Sequence, residues 1–194
     1  MDELKQIGEM IRWGTEQQPF LMGIIVSVLM GMALTLPISS AALGVILNLS
    51  GIAAGAATVG CCAQMIGFAT SSFRENGIGG LLAQGIGTSM LQVPNIVRKP
   101  LIWLPTIITS AILGPISTVV LKMTNNAIGS GMGTAGLVGP IMAYKTMITN
   151  TSPTITILMI LAMLIIAPAF LTYFISEAMR RKGLIKDGDM KLEI

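Results

Sequence analysis

Long uncharged stretches dominate this 194-residue chain, and its charges fall in a few short clusters. Six charged residues interrupt positions 17–176: Arg74, Glu75, Arg98, Lys99, Lys122 and Lys145. A helix needs about 20 predominantly apolar residues to cross a bilayer. The pattern therefore predicts four spanning helices, at residues 20–36, 51–70, 101–121 and 153–176.

The composition agrees with a membrane protein. Hydrophobic residues make up 53% of the chain and charged residues 11%, whereas about a quarter of the residues in a soluble domain are charged. We predict an all-α integral membrane protein with about four transmembrane helices, and we reject a soluble helical bundle.

Three regions follow from this pattern. Residues 1–19 place Leu4, Ile7, Met10, Ile11 and Trp13 among charges, which is typical of an amphipathic helix on a membrane surface. Residues 20–177 form the membrane domain. Residues 178–194, which include a basic cluster at 180–182, form a C-terminal tail.

One motif occurs twice in the chain. Residues 85–94 and residues 131–140 share the pattern G-x-G-T-x-x-L-x-x-P at an offset of 46 positions, and a long apolar segment follows each copy. Broken membrane segments in corresponding positions of two repeats commonly form the substrate site of a transporter. We therefore predict an internal repeat, although glycine-rich apolar stretches also align by chance.

The two motif copies lie in stretches that are poor candidates for spanning helices. Residues 78–97 and 125–144 are rich in glycine and uncharged polar side chains. Irregular backbone at membrane depth is tolerated only where protein or a cavity surrounds it. We predict two re-entrant hairpins.

Basic residues suggest an orientation, since they favour the cytoplasmic side of a membrane. The cluster at 180–182 places the C-terminus in the cytoplasm, and a count of crossings backwards places Arg74, Arg98 and Lys99 on the same side. The N-terminal segment falls there too if residues 38–49 do not cross. The two copies then form an inverted repeat.

The sequence offers little chemistry for a metal or a cofactor, and we expect neither. It contains no histidine, and its two cysteines are adjacent, which does not make a zinc site. The chain also lacks a basic run with interleaved aromatics, so we expect no nucleic acid partner.

Glu75 is the only acidic residue between positions 17 and 176, and it is the candidate catalytic base. It could serve a substrate hydroxyl together with Arg74 and Asn76, or it could lie in a solvated turn. Gln64 is a candidate ligand or an interhelical hydrogen-bonding residue. The remaining candidates for a neutral polyol site, which could instead satisfy the backbone of the hairpins, are Thr88, Ser89, Gln92, Asn95, Ser130 and Thr134.

Several strings resemble the membrane-subunit IIC family of the bacterial phosphotransferase system, in the branch that also includes a toxin-gene regulator. They are GMALTLPISSAA, GCCAQMIGFATSSFRENGIGG, AQGIGTSMLQVPNIV and SGMGTAGLVGPI, between about Gln18 and Tyr144. Family proteins are about twice this length, and the chain resembles their C-terminal half. That half holds the sugar site and two re-entrant hairpins.

The resemblance implies a permease subunit of a phosphoenolpyruvate-dependent system in the bacterial inner membrane. Such a subunit moves a sugar or polyol by alternating access, and a soluble IIB protein delivers the phosphate. It implies contact with membrane lipid and a homo-oligomer. The absence of histidine and of an acidic motif in the second hairpin departs from the better-known permeases. The alternative is a membrane sensor that binds a ligand without moving it.

Overall fold

The computed structural model describes residues 2–193 and is helical through most of its length. Within these residues, short 3-10 and π-helical turns extend or join eleven α-helices. The helices are α1 Asp2–Gln17, α2 Pro19–Thr35, α3 Ser40–Ile46, α4 Gly51–Ser71, α5 Phe73–Leu82, α6 Val93–Arg98, α7 Leu104–Pro115, α8 Ala127–Ser130, α9 Val138–Met147, α10 Pro153–Ile160 and α11 Ala167–Arg181. The prediction of an all-α membrane protein is confirmed.

Three helical segments within residues 2–193 are long and apolar enough to cross a membrane. They are α4, the segment Pro100–Leu121 that contains α7, and the segment Pro153–Arg181 that joins α10 to α11. The fourth predicted span corresponds to α2, which is shorter at 17 residues.

Helix α4 lies at the centre of the bundle and is almost entirely buried. Its residues are mainly Gly, Ala, Ser, Thr and Cys, and small residues let helix backbones approach closely in lipid. The crossing with α2 shows why: a Cβ atom at Gly60 would overlap the carbonyl oxygen of Ser27. Gly51 differs, because it starts α4 with a φ of +60° and a Cβ atom there would meet nothing within 4 Å.

Opposite charges define one end of the bundle. Arg180 pairs with Glu75 at 3.2 Å, and Lys99 pairs with Asp189. The chain after α11 returns along this end, and we call residues 185–192 the C-terminal strap and this side the strap end. The predicted placement of Arg74, Arg98 and Lys99 with the C-terminus therefore agrees with the structure.

The opposite end, the Lys122 end, carries the start of α4 and the N-terminal helix. The amide of Asn125 donates to Gly51 O, and Thr118 Oγ1 donates to Pro19 O at 2.6 Å. Arg12 Nη1 donates to Ser50 Oγ at 3.2 Å. The N-terminal segment therefore lies at the end opposite the C-terminus, which differs from its conditional placement from the sequence.

The reason lies in the path after α2. Helices α2 and α4 run in the same direction. The contact of Ser27 with Gly60 is followed, further along both helices, by the hydrogen bond between Thr35 and Gln64. The chain must therefore return to the Lys122 end before α4 begins. Pro37 lacks the amide that a longer helix would need, and the seven residues of α3 lie on the return path.

The two motif copies form helical hairpins that enter the bundle from opposite ends. The first hairpin (residues 73–98) consists of α5, a π-helical turn, a 3-10 turn and α6, and it starts at the strap end. The second hairpin (residues 127–147) consists of α8, a turn and α9, and it starts at the Lys122 end. Their tips meet, since the hydroxyl of Thr134 donates to Gly85 O.

Candidate functional site

A cavity of about 180 Å³ lies where three breaks in the helices come together. The breaks are the turn after α2 and the tips of the two hairpins, and the lining residues are Leu34, Ile38, Ser39, Ser40, Ala41, Met65, Gly87, Thr88, Met90, Gly131, Met132 and Ala135. None of these lining residues is charged. We call this cavity the central pocket.

Three hydroxyl groups in the central pocket keep hydrogen-bonding capacity for a ligand. Thr88 Oγ1 accepts from the amide of Met90 at 3.1 Å, and Ser39 Oγ accepts from the amide of Ala42 at 3.2 Å. Because a hydroxyl is both donor and acceptor, the O–H of each group remains available. Ser40 Oγ donates to Gly131 O at 2.6 Å, so its lone pairs remain available. The central pocket can therefore both donate to and accept from a hydroxylated molecule.

A buried polar cluster lies beside the first tip and centres on Gln64 in α4. Its Oε1 accepts from Trp103 Nε1 at 2.8 Å, from Thr106 Oγ1 at 3.0 Å and from Thr35 Oγ1 at 3.1 Å. Thr35 Oγ1 also lies 2.9 Å from Ser89 Oγ. Gln64 thus makes the interhelical hydrogen bonds that its position in a span suggests.

The Gln64 amide nitrogen is different. Nε2 is buried and has no hydrogen-bond partner among residues 2–193. An unpaired buried donor costs about 1–3 kcal/mol, so this group is a donor that a ligand or a moved side chain could satisfy.

Uncharged amide side chains form a ladder along the first hairpin. Gln84 Nε2 donates to Ser72 Oγ at 2.9 Å, Gln92 Nε2 donates to Gln84 Oε1 at 2.8 Å, and Asn95 Nδ2 donates to Gln92 Oε1 at 2.9 Å. We call these four residues the amide ladder. It links the end of α4 to both arms of the first hairpin inside the bundle.

The structure divides the predicted site residues among four places. Thr88 lines the central pocket, and Ser89, Gln64 and Thr134 adjoin it. Gln92 and Asn95 belong to the amide ladder, whereas Ser130 Oγ makes only a local bond to Ala127 O at 2.8 Å.

The other three predicted residues lie at the strap end, away from the central pocket. Glu75 Oε1 accepts from Arg180 at 3.2 Å and from the amide of Gly188 at 2.9 Å. Arg74 pairs with Glu177 at 3.0 Å and is half exposed. Asn76 Nδ2 donates to Met190 O at 2.8 Å.

Sequence reasoning missed the third break and its serines. Ser39 and Ser40 follow Pro37 after one intervening residue, and an apolar helix that ends at proline shortly before two serines resembles the other two breaks. It also missed Asn125, which is buried and whose Nδ2 donates to Thr58 Oγ1 at 2.8 Å and to Gly139 O at 3.1 Å.

The fold and the central pocket together define an all-α membrane protein with an uncharged polar site. The chain matches the model of the family described as phosphotransferase system, EIIC, over residues 3–192. The chain belongs to this family and is a membrane component of that system. Searches of the curated proteins and of the solved structures each find no significant match.

Proposed function

We propose that this chain is the permease component of a phosphoenolpyruvate-dependent phosphotransferase system, and that it moves a sugar or polyol by alternating access. The observation that carries the proposal is the central pocket, where the tips of both motif copies meet around hydroxyl groups and no charge. A charged substrate would require compensating charge there, because an unpaired buried ion is costly. A neutral polyhydroxylated ligand requires only donors and acceptors.

The arrangement of the hairpins supports alternating access. Two broken segments that enter from opposite ends and meet at one site are the geometry in which either side can open in turn. We infer that both hairpins are re-entrant in the membrane and that the two motif copies form an inverted repeat. In this proposal, the strap end faces the cytoplasm and the soluble IIB component, and lipid and a second copy of the chain cover the outer apolar surfaces.

The second candidate function is a sensor that binds the ligand without moving it. It is favoured by the contact between the C-terminal strap and the amide ladder, which could report the state of the first hairpin to a soluble partner. The two functions share the central pocket and differ in whether binding leads to uptake.

A binding screen tests the shared part of the proposal. We would measure thermal unfolding of the purified protein in detergent with a panel of sugars and polyols, since a bound ligand stabilises by RT ln(1 + [L]/Kd). A hit is expected to bind Thr88→Val about 3- to 10-fold more weakly, which corresponds to the loss of one hydrogen bond.

The matched control is Thr156→Val, because Thr156 is a buried threonine outside the central pocket and its hydroxyl has no partner among residues 2–193. This variant should bind like the wild type. Equal weakening in both variants, or no hit from a well-folded sample, contradicts the proposal. Uptake of the hit into vesicles then separates the permease from the sensor.

A further inference from the structure

The C-terminal strap docks on residues that the sequence predicts to bind substrate. Met190 O accepts from Asn76 Nδ2 at 2.8 Å and from Gln92 Nε2 at 3.0 Å, and Lys191 O accepts from Asn95 Nδ2 at 2.9 Å. The amide of Leu192 donates to Asn76 Oδ1 at 2.8 Å. The strap uses its backbone for all four bonds, so it offers these side chains the same neutral acceptors and donors that a polyol would.

The strap also covers the amide ladder. Gln84 and Gln92 are fully buried, and Asn95 is 7% exposed. Met190 is fully buried as well, and it joins Phe68, Ile96 and Ile102 in one apolar cluster at the strap end. Because Gln92 and Asn95 donate directly to the strap, removal of the strap would open the ladder to water from that end.

The contacts that fasten the strap can exchange with solvent. Lys99 and Asp189 keep 28% and 21% of their side-chain surface exposed, and Asp187, which pairs with Arg180, is 84% exposed. Partly exposed ion pairs are weakened by salt. The strap is therefore held by three buried apolar residues, Ile185, Met190 and Leu192, and by polar bonds that water or a ligand can replace.

We propose that the C-terminal strap is a latch that holds the first hairpin, whose tip lines the central pocket. While it is docked, the amide ladder is saturated and the first hairpin is fixed. Its release frees the side-chain amides of Asn76, Gln92 and Asn95 and lets the first hairpin move, which exposes its tip to water. The latch rests on the proposed function, because it controls access to the same pocket.

Cysteine labelling tests the latch without any knowledge of the substrate. Ser72→Cys places a thiol at the start of the amide ladder, and Ser89→Cys places one at the tip; both serines are fully buried. Ser117→Cys is the control, since Ser117 is equally buried but lies in the helical turn before Lys122. The probe is a hydrophilic maleimide, and mass spectrometry separates the new thiols from Cys61 and Cys62, which are buried.

The strap is released by Met190→Asp, which places a carboxylate at a buried apolar position, and Met190→Leu keeps the anchor apolar. Hydrogen exchange at the amides of Gly188 and Leu192 reports whether the strap has left. We expect Met190→Asp to accelerate labelling of Ser72→Cys and Ser89→Cys several-fold, while Ser117→Cys and every Met190→Leu combination remain slow. If Met190→Asp does not fold, Asp189→Asn provides the milder release.

Two results overturn the latch. A released strap with unchanged labelling at Ser89→Cys means that the strap covers only its own docking surface. Acceleration at Ser117→Cys as well means that the whole bundle has loosened. Because labelling needs no sugar, a failed binding screen counts against the proposed function and leaves this result readable.

Discussion

The two hairpins carry the same motif, but different contacts hold them. In each copy the motif threonine precedes a 3-10 turn that continues into an α-helix. The first hairpin is held by side-chain amides, a buried ion pair and the strap. The second is held by side-chain bonds to its backbone, such as that from Asn125 Nδ2 to Gly139 O, and by backbone contacts so close that a Cβ at Gly131 would overlap the Ser40 carbonyl oxygen.

This difference indicates which hairpin can move. Side-chain amides and ions can exchange one partner for water or a ligand at modest cost, because the new partner replaces the lost hydrogen bonds. Close-packed backbones have no such substitute. We infer that the second hairpin is the fixed wall of the central pocket and the first is its gate. The predictions below test this comparison.

The largest expected effect concerns the base of the first hairpin. In Arg180→Gln the Glu75 carboxylate loses its buried charge partner, which costs about 3–5 kcal/mol of the free energy of unfolding. Arg74→Gln is the matched control, since Arg74 is half exposed and its loss should change stability little. Denaturation in mixed detergent measures both. A similar loss in the two variants would mean that the Glu75–Arg180 pair does not anchor the hairpin.

The next largest effect is expected from substitution of the glycines that occupy the same position in the two motif copies. At Gly131 an added methyl group meets backbone, and overpacking of this kind costs about 1–3 kcal/mol. At Gly85 the nearest atom to an added Cβ is the Ala69 Cβ at 3.4 Å, an ordinary contact. We therefore expect Gly131→Ala to destabilise the protein and Gly85→Ala to be nearly neutral in the same unfolding assay. The reverse order would remove the distinction between wall and gate.

Substitution of the two motif threonines should affect different properties of the protein. Thr134→Val removes the hydrogen bond between the tips and should lower the free energy of unfolding by about 1 kcal/mol. Thr88→Val removes a hydroxyl of the central pocket and should weaken ligand binding more than it affects stability. Unfolding and binding measured on both variants check this. Equal effects on binding would mean that the pocket is not centred on the first tip.

The smallest expected effect is the loss of strap docking at low pH. Burial raises the pKa of Asp189, but hydrogen bonds from Lys99 and the Lys186 amide, with the charges of both lysines, outweigh it, and the pKa lies below its usual value. Asp189 therefore contributes fully to strap docking at a pH above its usual pKa of about 3.9. This contribution is lost as the pH falls through the lowered pKa of the folded protein.

The methyl NMR signal of Met190 measures this docking. Asp189→Asn is the control, because it keeps Glu75 and Asp187, which also bear on the strap through Gly188 and Arg180. The wild type should show an additional loss of docking on acidification. Identical titrations in the two proteins would show that Asp189 does not fasten the strap.

Much of the fold was predictable because it depends on patterns along the chain. The charge-free stretches predicted the three long helices, and the doubled motif predicted both broken segments. The turn after α2 was not predictable in the same way. An apolar segment of seventeen residues that ends at Leu36-Pro37 has the same pattern whether the chain crosses the membrane there or turns back. Only the direction of α2 relative to α4 distinguishes these two paths.

The candidate site was less predictable, because a sequence does not show which polar groups the chain itself satisfies. Asn76, Gln92 and Asn95 are the residue types that bind sugars, yet the structure pairs them with the strap backbone. The strap gave little signal, since Met190 and Ile185 are isolated apolar residues in a charged tail.

Hydrogen exchange resolved to individual segments tests the central comparison most directly. We would compare residues 83–98 with residues 131–143, in the wild type and in Asp189→Asn. The account predicts faster exchange in the first segment when the strap is weakened and unchanged exchange in the second. Equal acceleration of both segments, or acceleration of the second alone, would contradict the assignment of the first hairpin as the gate.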